Sequence, residues 1–529
     1  MKIVFLSDAH AGPVLEGLAR KVWKWALGEV SREKPDIVIL GGDLWQTQAN
    51  AGKGEWLEEI FGALPDARFF SIPGNRDPEG FKLNGNVSED RIRFVKGSLR
   101  VELGAVDLLL LDSNVVDRGF QVLSELAARR SGGMPLLVAG HQPFTQEELE
   151  ALPTRGGGLI IAGHRHRHLE TASGQWRQVV CAGLDPLKTW ECLPEIVIIE
   201  ALPGNVSCRS FVIPDRVLWA GRAREVVVGI APSCSMMELT ELAIAHRIPM
   251  FQVLLRKQKH PPTTEELQKL ADWRKEVPGA FLSCHLPDPV LAAESGDMGG
   301  LDGHLVWCAP AGFDDYTIHL PNVPADRVYN ADGAFLDTAE TSRMREIYLH
   351  LGKAVLSRGA WLSIENHHND DEHSKGGRPD RLSSRPEHIL RMIDWLRGTL
   401  TAEGWSVSDV ERIGWIYDSG HARNNGAVTN ELSLADWLAL GSDVLQTAHI
   451  HQVRYDEAWK LKNHFAIRSI HEGFINHEGL LAAFAQTPGP TVRAFIEVRD
   501  AGEAVESWKL LSAMMDDRMK NVQENTPCC

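Results

Sequence analysis

Five short motifs between Asp8 and His166 bring together the group types that hold metal ions. They are Asp8-Ala9-His10, Gly42-Asp43, Gly74-Asn75-Arg76-Asp77, Gly140-His141 and Gly163-His164-Arg165-His166. Carboxylate, amide oxygen and imidazole together suit hard-to-borderline divalent cations such as Mn²⁺, Fe²⁺ or Zn²⁺, and the number of groups is enough for two ions. Each motif follows a hydrophobic run that reads as a buried strand: 2–6, 36–40, 69–72, 136–139 and 159–162. Strand ends can deliver ligands from distant parts of a chain to one rim, so the elements are spaced as such a site requires.

In that order the motifs resemble the calcineurin-like metallophosphoesterase family, whose pattern is Asp-x-His, Gly-Asp, Gly-Asn-His-(Asp/Glu), Gly-His and Gly-His-x-His. The resemblance implies a four-layer α/β sandwich and a dinuclear site. Asp8, His10 and His166 would hold one metal, Asn75, His141 and His164 the second, and Asp43 would bridge them. Two such cations, Mn, Fe or Zn, clamp a phosphate, acidify a bridging water and stabilise the leaving oxygen. The implied chemistry is hydrolysis of a phosphomonoester or phosphodiester by a metal-activated hydroxide. One position departs from the pattern. Arg76 stands where the family usually has His, and an Arg does not donate a proton near neutral pH, although its fork fits phosphate oxygens. Arg76 is therefore expected to stabilise charge rather than act as general acid, with Arg76 and His141 both near the phosphoryl oxygens. His168, two residues beyond the last motif, is expected to support the ligands rather than join them.

The 529 residues exceed one ordinary core and predict two or three domains. An apolar content of 43% and a charged content of 24% are those of a globular chain. The formal charge of −16 argues against a broad electrostatic grip on nucleic acid. No apolar run is long enough to span a membrane, no leader is expected before the first strand, and the eight Cys form no CxxC pair or disulfide framework. A reduced, cytoplasmic setting is expected, with Cys528-Cys529 a mobile thiol pair. The 16 Trp read as packing residues, several of them inside helical stretches. Gly156-Gly157-Gly158 lacks the Lys and Ser/Thr of a phosphate-binding loop and reads as a turn.

The pattern changes near residue 220. Eight candidate strands follow, at 226–231, 250–255, 280–285, 316–320, 361–366, 414–418, 444–451 and 493–498, alternating with helical stretches at 236–246, 264–276, 341–357, 386–399 and 433–440. Strands alternating with helices predict parallel pairing, and eight units predict a closed (βα)₈ barrel. The later strands end in Glu365-Asn366, Asp418-Ser419-Gly420-His421, His449-Ile450-His451 and Glu497. A buried ring of such carboxylates needs a cation.

This half resembles the xylose isomerase-like superfamily, which includes sugar epimerases, inosose dehydratases and endonuclease IV-type (AP endonuclease 2-type) nucleases. The Asp-x-Gly-His signature at Asp418 and the turn His471-Glu472-Gly473-Phe474-Ile475 carry the likeness. It implies that Glu365, Asp418, His451 and Glu497 bind one divalent metal (Mn, Mg, Co or Zn), with Glu365 and Glu497 as an acid/base pair moving a proton beside a carbonyl. His449 shares a strand face with His451 by the period of two, and His451 is preferred. An endonuclease-like cluster of three zinc ions would draw on His285, His319, His421 and His464, but the Asp of its Asp-x-His is Lys462 in this chain. The loop 366–385, rich in charge and His, is expected to cover the site.

The expectation is thus a cytoplasmic, bifunctional two-domain metalloenzyme. A metallophosphoesterase domain spans 1–215, a (βα)₈ barrel with sugar isomerase or epimerase activity spans 225–500, and a tail covers 501–529. The substrate would be a small phosphorylated molecule, sugar- or nucleotide-like, with neither membrane nor nucleic-acid partner. The alternatives are a nuclease that trims nucleic-acid ends or cuts at abasic sites, and a barrel that binds a ligand without turning it over.

Overall fold

The computed structural model describes residues 1–11, 17–46, 55–77, 91–112, 120–125, 134–153, 157–222, 224–258, 260–291, 298, 300–369, 380–457, 459–470 and 473–524. The chain divides into two compact units. The first is Met1–Ala220 with the short segments Glu431–Asp436 and Asn476–Ala482; the second is Gly221–Asn430, Trp437–Ile475 and Ala483–Cys529.

Among the described residues, the first unit contains two six-stranded sheets. One has the order β12-β11-β1-β2-β3-β4, where β1 is Lys2–Leu6, β2 Ile37–Leu40, β3 Arg68–Ser71, β4 Ile92–Phe94, β11 Glu195–Leu202 and β12 Asn205–Val212. The other has the order β5-β6-β7-β8-β10-β9, where β5 is Ser98–Glu102, β6 Asp107–Leu111, β7 Leu136–Gly140, β8 Gly158–Ala162, β9 Leu169–Ser173 and β10 Trp176–Val180. Alternate residues of both sheets, among them Ile3, Phe5, Ile37, Ile39, Leu108, Leu110, Leu137 and Ile161, form one apolar cluster. The intervening Val4, Val38, Val138 and Ile160 are also buried, so the central strands are covered on both faces, as all-apolar parallel strands require. The helix Gly17–Glu33 buries Leu18, Val22, Trp23, Ala26 and Val30, and Gln146–Ala151 starts with a capping box between Thr145 and Glu148.

The second unit is a closed parallel barrel in the order β13-β14-β15-β16-β17-β18-β19-β22. Its strands are β13 Glu225–Ile230, β14 Met250–Leu254, β15 Phe281–His285, β16 Asp315–His319, β17 Trp361–Glu365, β18 Ile413–Asp418, β19 Leu445–Ile450 and β22 Thr491–Ile496. All eight expected strands are present, the last beginning two residues early, so Glu497 lies just past its end. A two-stranded hairpin, β20 Gln452–Tyr455 with β21 Leu461–Phe465, is inserted between β19 and β22. Helices start on side-chain caps at Ser235, Thr263 and Thr338. Residues 501–524, read from sequence as tail, form the helix Ala501–Glu524. It buries Ala504, Val505 and Leu511, and Trp508 Nε1 donates to the Val228 carbonyl at 3.0 Å. Its apolar spacing is helical, and it covers β13 as a barrel helix does.

The sites of Gly156, Cys528 and Cys529, of His471 and Glu472 in the turn, and of 370–379 in the long loop lie outside the described residues. Among the described residues, no helix is long and apolar enough to cross a membrane.

Candidate metal centres

The five motifs of the first unit sit at strand ends as expected, on backbone that is itself unusual. Asp8, His10, Asp43, His164 and His166 all have positive φ, between 44° and 69°. For residues other than Gly this conformation costs roughly 1–2 kcal/mol each, and it persists where surrounding contacts impose it. The loops meet closely: a Cβ on Gly163 would lie 2.3 Å from Asp8 Oδ2, and one on Gly74 would lie 2.2 Å from Asp43 Oδ1.

The structure brings all seven expected ligands together. Asp8, His10 and His166 form one group of converging ligand atoms, and Asp43, His141 and His164 form another. Asp43 Oδ2 lies 3.5 Å from His141 Nε2 and 3.9 Å from His10 Nε2, which places it between the groups. Asn75 Oδ1 is 3.3 Å from His141 Nε2, and His164 Nδ1 is 3.2 Å from the same nitrogen. His10 and His166 face each other, Nε2 to Nε2, at 3.3 Å. His141 is fully buried; its Nδ1–H donates to the Gly41 carbonyl at 2.9 Å, which turns Nε2 into the cluster. Asp8 Oδ1 is buried without a hydrogen bond and lies 3.7 Å from His166 Nε2. A buried carboxylate oxygen aimed at imidazole nitrogens, with no donor of its own, fits divalent cations.

The electrostatics agree with that fit. Burial pushes Asp8 up to about 6. Burial also acts to raise Asp43, but its hydrogen bond and attraction to His141 outweigh this and hold it below the usual range. Burial disfavours a charged His141, yet the bond to Asp43 and the charges of Asp8 and Asp43 lift it to about 9. Burial and His141 lower His164 to about 4, and burial with Lys188 lowers His10 well below its ordinary value.

Two residues add to the sequence reading, and a third, His168, is placed by the fold. Asp77 accepts from Leu44 N at 3.0 Å and Gly74 N at 2.8 Å, tying the loops after β2 and β3 together. Lys188, nearly buried, donates to Gln46 Oε1 at 2.9 Å and lies 3.6 Å from Asp185, close enough to depress His10. It is a second cation beside the cluster, with Arg76, which also acts on His10. His168 pairs with Glu195 at 3.1 Å, and Glu195 accepts from Ala182 N at 2.7 Å, so His168 is tied to the β11 edge rather than to the ligands.

The barrel centre lies at the C-terminal ends of the strands, where such barrels place chemistry. Its candidate ligands fall into three overlapping groups: His285, His319 and Glu365; Glu365, Asp418, His449 and Glu497; and His451, His464 and Glu497. Glu365 Oε2 lies 2.9 Å from His285 Nε2 and 3.3 Å from His319 Nε2, while Oε1 lies 2.9 Å from His449 Nδ1. Glu497 Oε2 is 3.2 Å from His449 Nδ1 and 3.7 Å from His464 Nδ1. His451 Nε2 is 3.1 Å from Asp418 Oδ1. Three of the four residues expected together, Glu365, Asp418 and Glu497, share one group, and its imidazole is His449 rather than the preferred His451, which groups with His464 and Glu497. Lys462 is exposed and belongs to none of the groups. His319 Nε2 is buried and faces Glu365 Oε2 at 3.3 Å, again fitting a cation.

Burial would raise Glu365, but His319, His449 and His285 hold it well below the usual range. Glu497 likewise falls to about 2 against burial, through His464 and His449. Two imidazoles from the described start of the long loop adjoin the cluster: the His367 ring centre is 4.9 Å from that of His319, and the His368 ring centre is 4.7 Å from that of His421. Asn366 clamps its neighbouring strand, donating to the Asp418 carbonyl and accepting from Asp418 N.

Residues 1–168 match the family model described as calcineurin-like phosphoesterase. No curated protein matches the chain. Among solved structures, a D-tagatose 3-epimerase-like protein is 14% identical, with 56% of this chain and 98% of that one covered at a TM-score of 0.39. Endonuclease IV from Thermus thermophilus is 16% identical, with 56% and 99% covered at 0.36. A dimetal phosphatase from Danio rerio is 11% identical, with 40% and 99% covered at 0.26. Over residues 1–168 this chain is thus similar to the calcineurin-like phosphoesterases, and a closed eight-stranded parallel barrel follows that segment.

Proposed function

We propose that the chain is a metallohydrolase with two centres, the first cleaving a phosphomonoester or phosphodiester and the second a multinuclear site acting on the same class of bond. When bound, divalent cations supply Lewis-acid polarisation of the phosphoryl group and an acidic water at neutral pH. Asp8, His10 and His166 would hold one ion of the first centre, and Asn75, His141 and His164 the other, with Asp43 between them. Arg76 and Lys188 supply fixed positive charge beside His10, where phosphoryl oxygens carry negative charge.

For the barrel, the carrying observation is the occupation of Glu365. Both its oxygens face imidazoles, His285 and His319 on one side and His449 on the other. An isomerase base needs a carboxylate free to take a proton from carbon. Three overlapping ligand groups sharing Glu365 and Glu497 instead suit a multinuclear phosphoester site. Beside His464, a cavity is lined by Lys460, Lys462 and Arg499, with Asp456, Asp500 and Glu503; the three cations fit a phosphorylated small molecule, sugar- or nucleotide-like.

The test is phosphate and nitrophenol release from nitrophenyl mono- and diesters with Mn²⁺ added, in wild type, Asp43→Ala, Glu365→Ala and the double variant. Loss of most activity in Asp43→Ala, and of the remainder in the double variant, supports two hydrolytic centres. An Asp43→Ala protein that releases no phosphate but interconverts ketose epimers overturns the barrel reading in favour of the isomerase.

A further inference from the structure

Below the barrel centre runs a column of buried polar side chains that the centre itself does not use, and it ends on the centre's own His449. Gln252, Ser283, Asp315, Thr317 and Ser363 are all fully buried. Ser283 and Ser363 donate to Asp315, each at 2.6 Å, and Thr317 donates to it at 3.2 Å. The hydroxyl protons are thereby committed, and Ser283 Oγ and Thr317 Oγ1 retain only lone pairs. Gln252 Nε2 lies 2.9 Å from the first and 3.0 Å from the second, so both its hydrogens are used as donors. The reversed amide would set its oxygen against two oxygens with no proton to give and forfeit both bonds. Gln252 Oε1 therefore faces His449 Nε2 at 2.7 Å, and an acceptor there requires that Nε2 carry the hydrogen.

We infer that Gln252 is a positioning residue that holds His449 in the Nε2–H tautomer and presents Nδ1 to the cation position between Glu365 and Glu497. Asp315 is the origin of the chain: its Oδ2 orients the Ser283 and Thr317 hydroxyls, these two orient one amide, and the amide orients one imidazole. Partners of this kind fix ring orientation and raise ligand basicity. The inference rests on the barrel centre being a metal site, and its test separates the two ideas.

Zn²⁺ affinity of the full chain is measured by chelator competition, with melting curves as the control for folding. Gln252→Met leaves the His449 Nε2–H without an acceptor and is expected to weaken the tightest barrel ion by about 10–100-fold, the range for loss of such a partner. Ser283→Ala/Thr317→Val touches neither His449 nor the cation position, yet frees the amide to turn, and is expected to weaken binding likewise. In Zn²⁺-loaded, ¹⁵N-histidine-labelled protein, His449, identified by comparison with His449→Gln, should show the Nε2–H tautomer. An Nδ1–H tautomer, or unchanged affinity in folded Gln252→Met, overturns the inference. A wild-type barrel that takes up no Zn²⁺ overturns the metal-site reading instead.

Discussion

The backbone N–H of Arg76 donates to Oδ1 of Asp43 at 2.8 Å. The residue that departs from the family motif thus anchors, through its main chain, the carboxylate lying between the two ligand groups. Its side chain can vary without loosening that anchor. Arg76→Ala is therefore expected to keep both metals while lowering kcat/KM on the order of 10²-fold, as loss of a charge-stabilising donor does. Arg76→His places a group able to protonate a leaving oxygen where the motif usually has one. Relative to Arg76→Ala, it should gain most on alkyl phosphates, whose leaving groups need a proton, and little on nitrophenyl phosphates. Metal content, with kcat/KM on both substrate types, checks this; equal gains on both would remove the leaving-group argument.

Metal and proton compete at the first centre. In the metal-free protein, His141 is lifted to about 9 through Asp43 and Asp8, so it is charged at neutral pH, and a ligand must be neutral to bind. Mn²⁺ binding should release protons and tighten as pH rises toward 9. A folded pKa above the ordinary 6.5 also contributes stability that is full below that value and lost as pH rises through the folded pKa. The melting temperature of metal-free protein should therefore fall between neutral pH and about pH 9, and saturating Mn²⁺ should offset that fall. Calorimetry in buffers of different ionisation enthalpy measures the proton release directly.

Gly163 gives a test of loop packing separate from ligand chemistry. A Cβ there would meet Asp8 Oδ2 at 2.3 Å and Ser7 Oγ at 2.6 Å, and both belong to a tightly packed loop that has little room to yield. Gly163→Ala is expected to displace Asp8, empty the first centre of metal and reduce phosphoester hydrolysis at least as far as Asp43→Ala, while barrel metal stays bound. Elemental analysis of the purified variant reads this as a loss of about two ions per chain, the complement of a dinuclear site.

The convergence of the seven candidate residues was legible in the sequence because each follows a hydrophobic strand within a few residues, so order along the chain became order around a rim. Lys188 was not legible: it lies after β10, beyond the last motif, and reaches the cluster only through the fold. The positive φ of Asp8, His10, Asp43, His164 and His166 likewise arises from how the loops meet, which local sequence does not encode. The barrel strands were visible from their alternation with amphipathic helices. The helix Ala501–Glu524 follows the last strand and has no later strand to pair with it as a βα unit, which left it reading as a tail.

The choice between His449 and His451 shows the limit most clearly. Strand periodicity puts both on one face, and only barrel closure separates them. His449 Nδ1 sits between Glu365 and Glu497, at 2.9 and 3.2 Å, whereas the His451 ring packs on that of His464 with centres 4.4 Å apart. His449 is thus flanked by two carboxylates, and one shared cation would neutralise both. His449→Ala is expected to lose the tightest barrel ion, with a fall in affinity beyond the about 10–100-fold that follows loss of a supporting partner. His451→Ala should lose only a weaker ion, held with His464, and keep the tight one. Chelator competition with Zn²⁺ resolves the two classes. If His451→Ala alone abolished tight binding, the ligand set would be that of the sequence reading, and Gln252 would have no ligand to orient.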